Sequence, residues 1–225
     1  MLVPNANSKT PNLTAATDFY WSAKNFVVAL GFEAEIQWQE SLSPAAFTET
    51  DLLRESAWVV LCSGFREAVI RRIFDYISLC FCDWESADVI HAYRDHCRAS
   101  ALSRFANARK IDAIVATADY VAEVGFEQFK GCVLSRPVET LRLLPYIGEV
   151  TTHHLAKNLG IPTAKPDRHL KRMAASMGFD SAYQLCDELA NATGDAIQVV
   201  DLVLWRYAER SGSLPPRHPS SVASA

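Results

Sequence analysis

Residues 137–172 read PVETLRLLPYIGEVTTHHLAKNLGIPTAKPDRHLKR, and the fold turns on how this stretch is punctuated. Pro137 suits a first helical turn, the apolar residues Leu141, Leu143 and Leu144 follow, and Pro145 forbids the helix from continuing. Leu144-Pro-Tyr-Ile-Gly148 is therefore a turn. Gly148 lacks a β-carbon where a second helix begins, so the amides near Gly148, Val150 and Thr151 are expected to lie bare at its positive end. Free helix N-terminal amides bind phosphate. The same hairpin is also an ordinary packing unit of helical cores, and taken alone it favours that use.

The second helix closes at Gly160, Pro162 blocks its resumption, and a third opens at Pro166-Asp167-Arg168-His169. An acid there is stabilised by the helix dipole, and in isolation Asp167 reads as a cap. It lies nineteen residues beyond Gly148. The order leucine-proline-x-x-glycine followed by aspartate-x-histidine resembles the helix-hairpin-helix DNA glycosylases of the endonuclease III and 8-oxoguanine glycosylase superfamily. Looser likenesses occur at Leu61-Cys-Ser-Gly-Phe-Arg66, Phe105-Ala-Asn-Ala-Arg-Lys-Ile-Asp112 and Asp201-Leu-Val-Leu-Trp205, so the resemblance covers about residues 48 to 210. It implies an all-α fold in which residues 15–210 form one two-lobed domain. The chain ends would build one lobe and a central helical block the other, with the active-site cleft between them.

By this resemblance Asp167 is the catalytic aspartate. Breaking an N-glycosidic bond builds positive charge on the sugar, which a fixed carboxylate stabilises, and the same group can orient or deprotonate the attacking water. Val150 stands where the bifunctional members carry a lysine nucleophile, and an aliphatic side chain forms no Schiff base. Lys157 is about two turns further along the helix and is not assigned that role. The expected activity is hydrolytic base excision without strand cleavage.

A base inside a duplex is unreachable until its nucleotide is rotated out. The turn Ser63-Gly64-Phe65-Arg66 resembles the family's gap-filling loop, with Phe65 to stack and Arg66 to reach the opposite strand or a phosphate. A buried core phenylalanine is the competing reading of Phe65. Tyr20, Trp21, Tyr146 and Trp205 are each able to wall a base or to sit in the core. Asp201 and Trp205 lie on the terminal helix, which resembles a pocket-lining helix, so Tyr146, Asp201 and Trp205 are the candidate pocket residues. The resemblance adds His169 as a phosphate contact. Backbone contacts are expected from Gly148, Val150 and Thr151 in the hairpin and from Lys165, Arg168 and His169 beside the acid.

The formal net charge of −4 rules out a blanket polycation, so DNA contact must come from local clusters. Three are visible: Arg66, Arg71 and Arg72; Arg104, Arg109 and Lys110; and Lys165, Arg168, His169, Lys171 and Arg172 around the acid. Charge runs are usually solvated faces. The third cluster flanks the hairpin and the acid.

No metal or other cofactor is expected. Cys62, Cys80, Cys82, Cys97, Cys132 and Cys186 lack the spacing of an iron–sulfur or zinc site, no histidine pair joins a carboxylate at zinc spacing, and no P-loop or dinucleotide fingerprint occurs. Six free thiols suit a reducing cytosol. A 225-residue chain with 49% hydrophobic content can bury a substantial core. The apolar stretch 26–32 is too short to span a membrane, and residues 1–11 do not have the shape of a signal peptide. The expected protein is thus a cytoplasmic monomer, without membrane partners, acting on double-stranded DNA that contains a damaged or modified base.

The stretches 151–160 and 167–172 place the nearest likeness in the 8-oxoguanine branch, hence an oxidised purine. Alkylated purines, mismatched pyrimidines and a hypermodified phage base stay open, the last implying a role in antiviral defence. A noncatalytic DNA-gripping module and a helical protein-interaction domain are the rival classes.

Hydrophobic periodicity predicts helices near 17–30, 50–62, 65–80, 86–98, 103–122, 137–143, 149–159, 167–177, 181–190 and 195–210. Residues 34–38 are the one candidate strand. Residues 1–14 and 211–225, rich in Ser, Pro, Ala and Asn, read as flexible ends.

Overall fold

A computed structural model describes residues 11–212, and among these the protein is all-α. In chain order the helices are α1 (Leu13–Ala29), α2 (Glu33–Ser41), α3 (Glu49–Cys62), α4 (Glu67–Cys80), α5 (Ala87–Ala92), α6 (Arg94–Arg104) and α7 (Ala108–Val124). They continue as α8 (Phe126–Ser135), α9 (Pro137–Leu141), α10 (Glu149–Asn158), α11 (Arg168–Met177), α12 (Ala182–Thr193) and α13 (Ile197–Ser211). Leu13 and Thr14 thus belong to a helix, as does Ser211; Pro11, Asn12 and Gly212 flank these helices, and residues 1–10 and 213–225 lie outside the described residues.

Side-chain caps fix several helix starts. Asn12, Ser86, Asn107 and Ser181 each accept an amide of the following turn, and Thr48 and Asp51 form a reciprocal capping box at α3. Residues 34–38 are helical, not a strand. Glu33 and Glu35 favour the positive end of α2, and Ile36 and Gln39 bury one face at helical spacing. The segment between 122 and 137, where no helix is predicted, holds α8. Gly125 at φ +85° separates it from α7, and only Phe129 and Val133 of its ten residues are buried. The break expected between 98 and 103 falls at Phe105–Asn107, and a second one falls at Tyr93.

The chain divides into two compact units, one comprising Met1–Ser41 with Pro162–Ala225 and the other Leu42–Ile161. Each has its own core. In the first, Val27, Leu170, Met173, Leu185, Leu189 and Val203 pack together. Tyr20, a candidate base wall, lies fully inside that core and donates its hydroxyl to Asp195, which Lys24 also engages at 2.8 Å. Trp21 remains exposed, with the Lys24 ammonium 5.6 Å from its ring centroid.

In the second unit, Leu52, Leu61, Ile70, Ile111, Leu141 and Leu155 belong to one continuous core. Gly160 closes α10 at φ +78°, and a β-carbon built there would meet the Ser43 backbone at 2.8 Å. This glycine is required by conformation and by space together. Nearby, buried Glu55 on α3 accepts the Asn158 side-chain amide from α10 at 2.8 Å and meets Arg54 at 3.4 Å.

Burial raises the Glu55 carboxyl above the usual carboxylate range, against the opposing pull of Arg54 and Asn158. The folded protein therefore holds this proton at pH values where the unfolded chain has lost it, so stability declines as pH rises above the ordinary glutamate value. Glu55→Gln is expected to match or exceed wild-type melting temperature at pH 8, with the difference shrinking towards pH 4. Thermal denaturation across that range reads it out.

Candidate functional site

The hairpin is built as its punctuation requires. After α9, the amide of Ile147 donates to the Leu144 carbonyl at 3.2 Å, closing a turn with Pro145 and Tyr146 at its centre. Buried Leu144 and Ile147 anchor it in the core. Tyr146 takes φ +68°, the left-handed conformation that a glycine adopts freely and other residues at a strain of roughly 1 kcal/mol. Gly148 is different: its φ of −102° is open to any residue, and an added β-carbon would find only Thr151 Oγ1, at 3.9 Å. Neither backbone nor packing demands a glycine there. Its absent side chain leaves the helix end open.

The Gly148 amide itself does not lie bare as expected. It donates to Thr151 Oγ1 at 2.7 Å, because a threonine at that point of the first turn reaches back to the cap. Thr152 supplies the first amide bonded backwards, to the Gly148 carbonyl at 2.9 Å. The amides of Glu149, Val150 and Thr151 thus belong to the turn whose donors have no intrahelical acceptor. Exposed Glu149 places a carboxylate at this positive end, where it competes with any anionic ligand.

Lys110, read from sequence as part of a solvated basic cluster, is only 2% exposed. Its ammonium donates to the carbonyls of Val60, of Leu61 at 3.2 Å and of Ser63 at 2.7 Å, so three donors meet three acceptors at the C-terminal end of α3. Burial lowers its pKa below the ordinary lysine range, opposed by Cys62. The ammonium also lies 5.3 Å from the ring centroid of Phe65 and 5.0 Å from that of Tyr146. Ser63, Phe65 and Tyr146, candidates from separate segments, are thereby gathered around a lysine that the sequence offers only as one of a basic cluster. Its position was a usable signal: Lys110 falls on the stripe of Ile114, Thr117 and Val121, one, two and three further helical turns along the buried face of α7.

Phe65 is not a buried core residue. It is 42% exposed, tilted against Phe105 with centroids 5.3 Å apart, and carried by a turn in which Gly64 takes φ +77°. Arg66 is exposed at the N-cap of α4, and its side chain makes no cap bond.

In the other unit, Asp167 is the N-cap of α11 and half-buried. Its carboxylate accepts the amides of His169 at 2.8 Å and Leu170 at 3.1 Å. Both bonds go to Oδ1, which leaves Oδ2 outside the cap. The extended segment before it is pinned from below: Asp201, 1% exposed, accepts the Lys165 amide at 2.7 Å, and the Lys165 carbonyl accepts the Asp167 amide at 2.8 Å. Asp201, nominated as a pocket wall, is thus a buried anchor two residues before the acid. Its acceptor role is invisible in sequence because its partner is a backbone amide 36 residues away. Arg168 is exposed, and half-buried His169 receives its Nε at 3.4 Å. Trp205 is half-buried against the unit's core, with the Arg206 guanidinium 4.7 Å from its ring centroid.

Among the described residues no three His, Cys, Asp or Glu side chains are grouped to hold a metal ion, and no helix is long and apolar enough to cross a membrane. No family model, curated protein or solved structure matches this chain.

Removing the buried acceptor with Asp201→Ala strands the Lys165 amide and is expected to destabilise the fold by about 1–3 kcal/mol. Asp201→Asn retains a carbonyl oxygen for that amide and should lose less. Urea denaturation of both variants compares them.

Proposed function

We propose that this chain is a monofunctional DNA N-glycosylase, which turns a damaged or modified base out of a duplex and hydrolyses its bond to deoxyribose. The observation that carries this reading is the Asp167 carboxylate, locked through Oδ1 by two amides with Oδ2 left over. A carboxylate so oriented can lie against a sugar that becomes cationic as the bond breaks, and can direct water to it, without reorganising as charge develops. Residues gripping DNA are, on this reading, the first-turn amides of α10 in the central unit and, in the end-built unit, Lys165, Arg168 and His169 beside the acid. The open helix end at Gly148 supports a close approach of phosphate to backbone. The division of the chain into an end-built unit and a central unit agrees with the lobes that the family likeness implies.

Valine at position 150 supplies no amine, and the buried Lys110 has its three donors on carbonyls, so neither serves as a nucleophile. The product is an abasic site in an intact strand. Duplexes carrying a panel of modified bases should therefore break only after hot alkali, and borohydride should trap no covalent adduct. Breaks without alkali would remove the monofunctional assignment.

A second reading has one observation in its favour: as a helix cap, Asp167 has a sufficient structural role, which fits a noncatalytic DNA-binding module. Asp167→Asn separates the two, because asparagine caps about as well as aspartate. Folding stability should stay within a few tenths of a kcal/mol while base release falls by about 10²-fold or more. Unchanged release, measured by mass spectrometry of the freed base, would transfer the chain to the binding-module class. Gly148→Ala tests the grip: the backbone and the space admit the methyl group, so the fold should persist with a capping loss of about 0.5–1 kcal/mol while affinity for all duplexes falls alike.

A further inference from the structure

We propose that Phe65 and Tyr146 form a single stacking platform for unpaired nucleobases, and that Lys110 is the positioning residue that sets it. The proposal rests on the DNA-acting reading above and moves Tyr146 from the base pocket to the gap that base extrusion leaves. The two rings come from segments eighty-one residues apart in sequence. They are 42% and 41% exposed, and both lie against one ammonium, at 5.3 and 5.0 Å. Their centroids are therefore no farther apart than the sum of those two distances, within the span of a short stretch of one strand.

Two unfavourable features are maintained to hold this arrangement. Tyr146 occupies a left-handed position where glycine would be unstrained, and Lys110 carries its charge into the interior, where burial opposes it. Strain of this kind persists where the surroundings over-determine it, and it concentrates at ligand sites. Lys110 also ties both rings to fixed backbone. Its bond to the Ser63 carbonyl at 2.7 Å fixes the start of the Phe65 turn, and Phe105 backs the Phe65 ring.

The surroundings of each ring suit a polyanion with aromatic faces. Exposed Arg66 follows Phe65, and the first-turn amides of α10 follow Tyr146 by a few residues. Aromatic side chains stack on any base, since every base has a π-face, and adjacent cationic groups hold the connecting phosphates. The ligand class is thus the unpaired base itself, whether orphaned opposite an abasic gap or carried in a single strand. Glu149 limits the phosphate affinity beside Tyr146 and makes stacking the larger contribution there.

The probe is a duplex with 2-aminopurine opposite a tetrahydrofuran abasic analogue, compared with the same duplex intact and with the 2-aminopurine single strand. Wild type should quench the fluorescence and bind the abasic duplex more tightly than the intact one. Phe65→Leu keeps apolar bulk without a π-face, and Tyr146→Gly relieves the turn, so neither loss can be blamed on misfolding. Each should weaken binding to the abasic duplex and the single strand by about tenfold and leave the intact duplex unchanged. Lys110→Arg, which preserves the cation and its donors, should retain the quench, while Lys110→Met should lose it. Should Lys110→Met fail to fold, the two ring variants decide alone. Tyr146→Gly binding the abasic duplex as tightly as wild type, or losing equal affinity for intact DNA, overturns the platform. A protein that grips the gap through both rings yet releases no base keeps the platform and loses the glycosylase; one that releases a base with gap binding indifferent to Tyr146 does the reverse.

Discussion

A lysine ammonium buried against the end of a helix determines where the irregular parts of the central unit begin. The last carbonyls of α3 lie beyond the reach of the helix's own amides. Lys110 meets them with a charge and three donors, at the negative end of the α3 dipole. Burial still leaves its proton more weakly held than an ordinary lysine's, so the carbonyls offset only part of the desolvation. The gain is geometric. The chain leaves α3 at a fixed point, and the turn carrying Phe65 inherits that point.

The end-built unit uses the opposite charge for the same purpose. Buried Asp201 takes a backbone amide from the segment before α11, as buried Lys110 takes carbonyls from the segment after α3. Irregular backbone cannot satisfy its own polar groups, so each such segment needs an acceptor or donor supplied from a rigid helix. A charged partner makes a shorter and stronger hydrogen bond than a neutral one, and this holds the segments that carry Phe65 and Asp167.

What was legible in the sequence follows from the range of the forces involved. Pro137, Pro145, Gly160, Pro162 and the Asp167 cap act on their own few residues, so the hairpin and the start of α11 could be placed to within a residue or two. The short helices α2 and α8 were hidden because each buries only two residues, too few to establish a period. In sequence Lys110 is one letter of a basic cluster and Asp201 a candidate pocket residue, and neither letter by itself tells that its side chain is buried against backbone groups. Both lie on helix faces otherwise buried, Lys110 with Ile111 and Ile114, Asp201 with Val200 and Leu204. Tyr20 sits in the core rather than at a pocket because its hydroxyl finds Asp195, a partner 175 residues away that no local pattern reveals.

Three positions of the hairpin bear on glycine, and they do not distribute it as conformation alone would. Gly160 is a glycine for both reasons that proteins need one, a left-handed φ and a backbone pressed against it. Tyr146 has the left-handed φ without being glycine, and Gly148 is glycine without needing that φ or that space. A hairpin shaped by folding alone would reverse the last two, placing glycine at the strained turn and a capping Ser, Thr or Asp at the helix start. The observed choice instead leaves a bulky aromatic ring exposed on the turn and a bare surface at the positive helix end. Both departures are unfavourable for the isolated fold, and on the DNA-acting reading proposed above both improve access for a ligand that stacks and carries negative charge. On that reading the hairpin answers to what it touches as well as to its own packing.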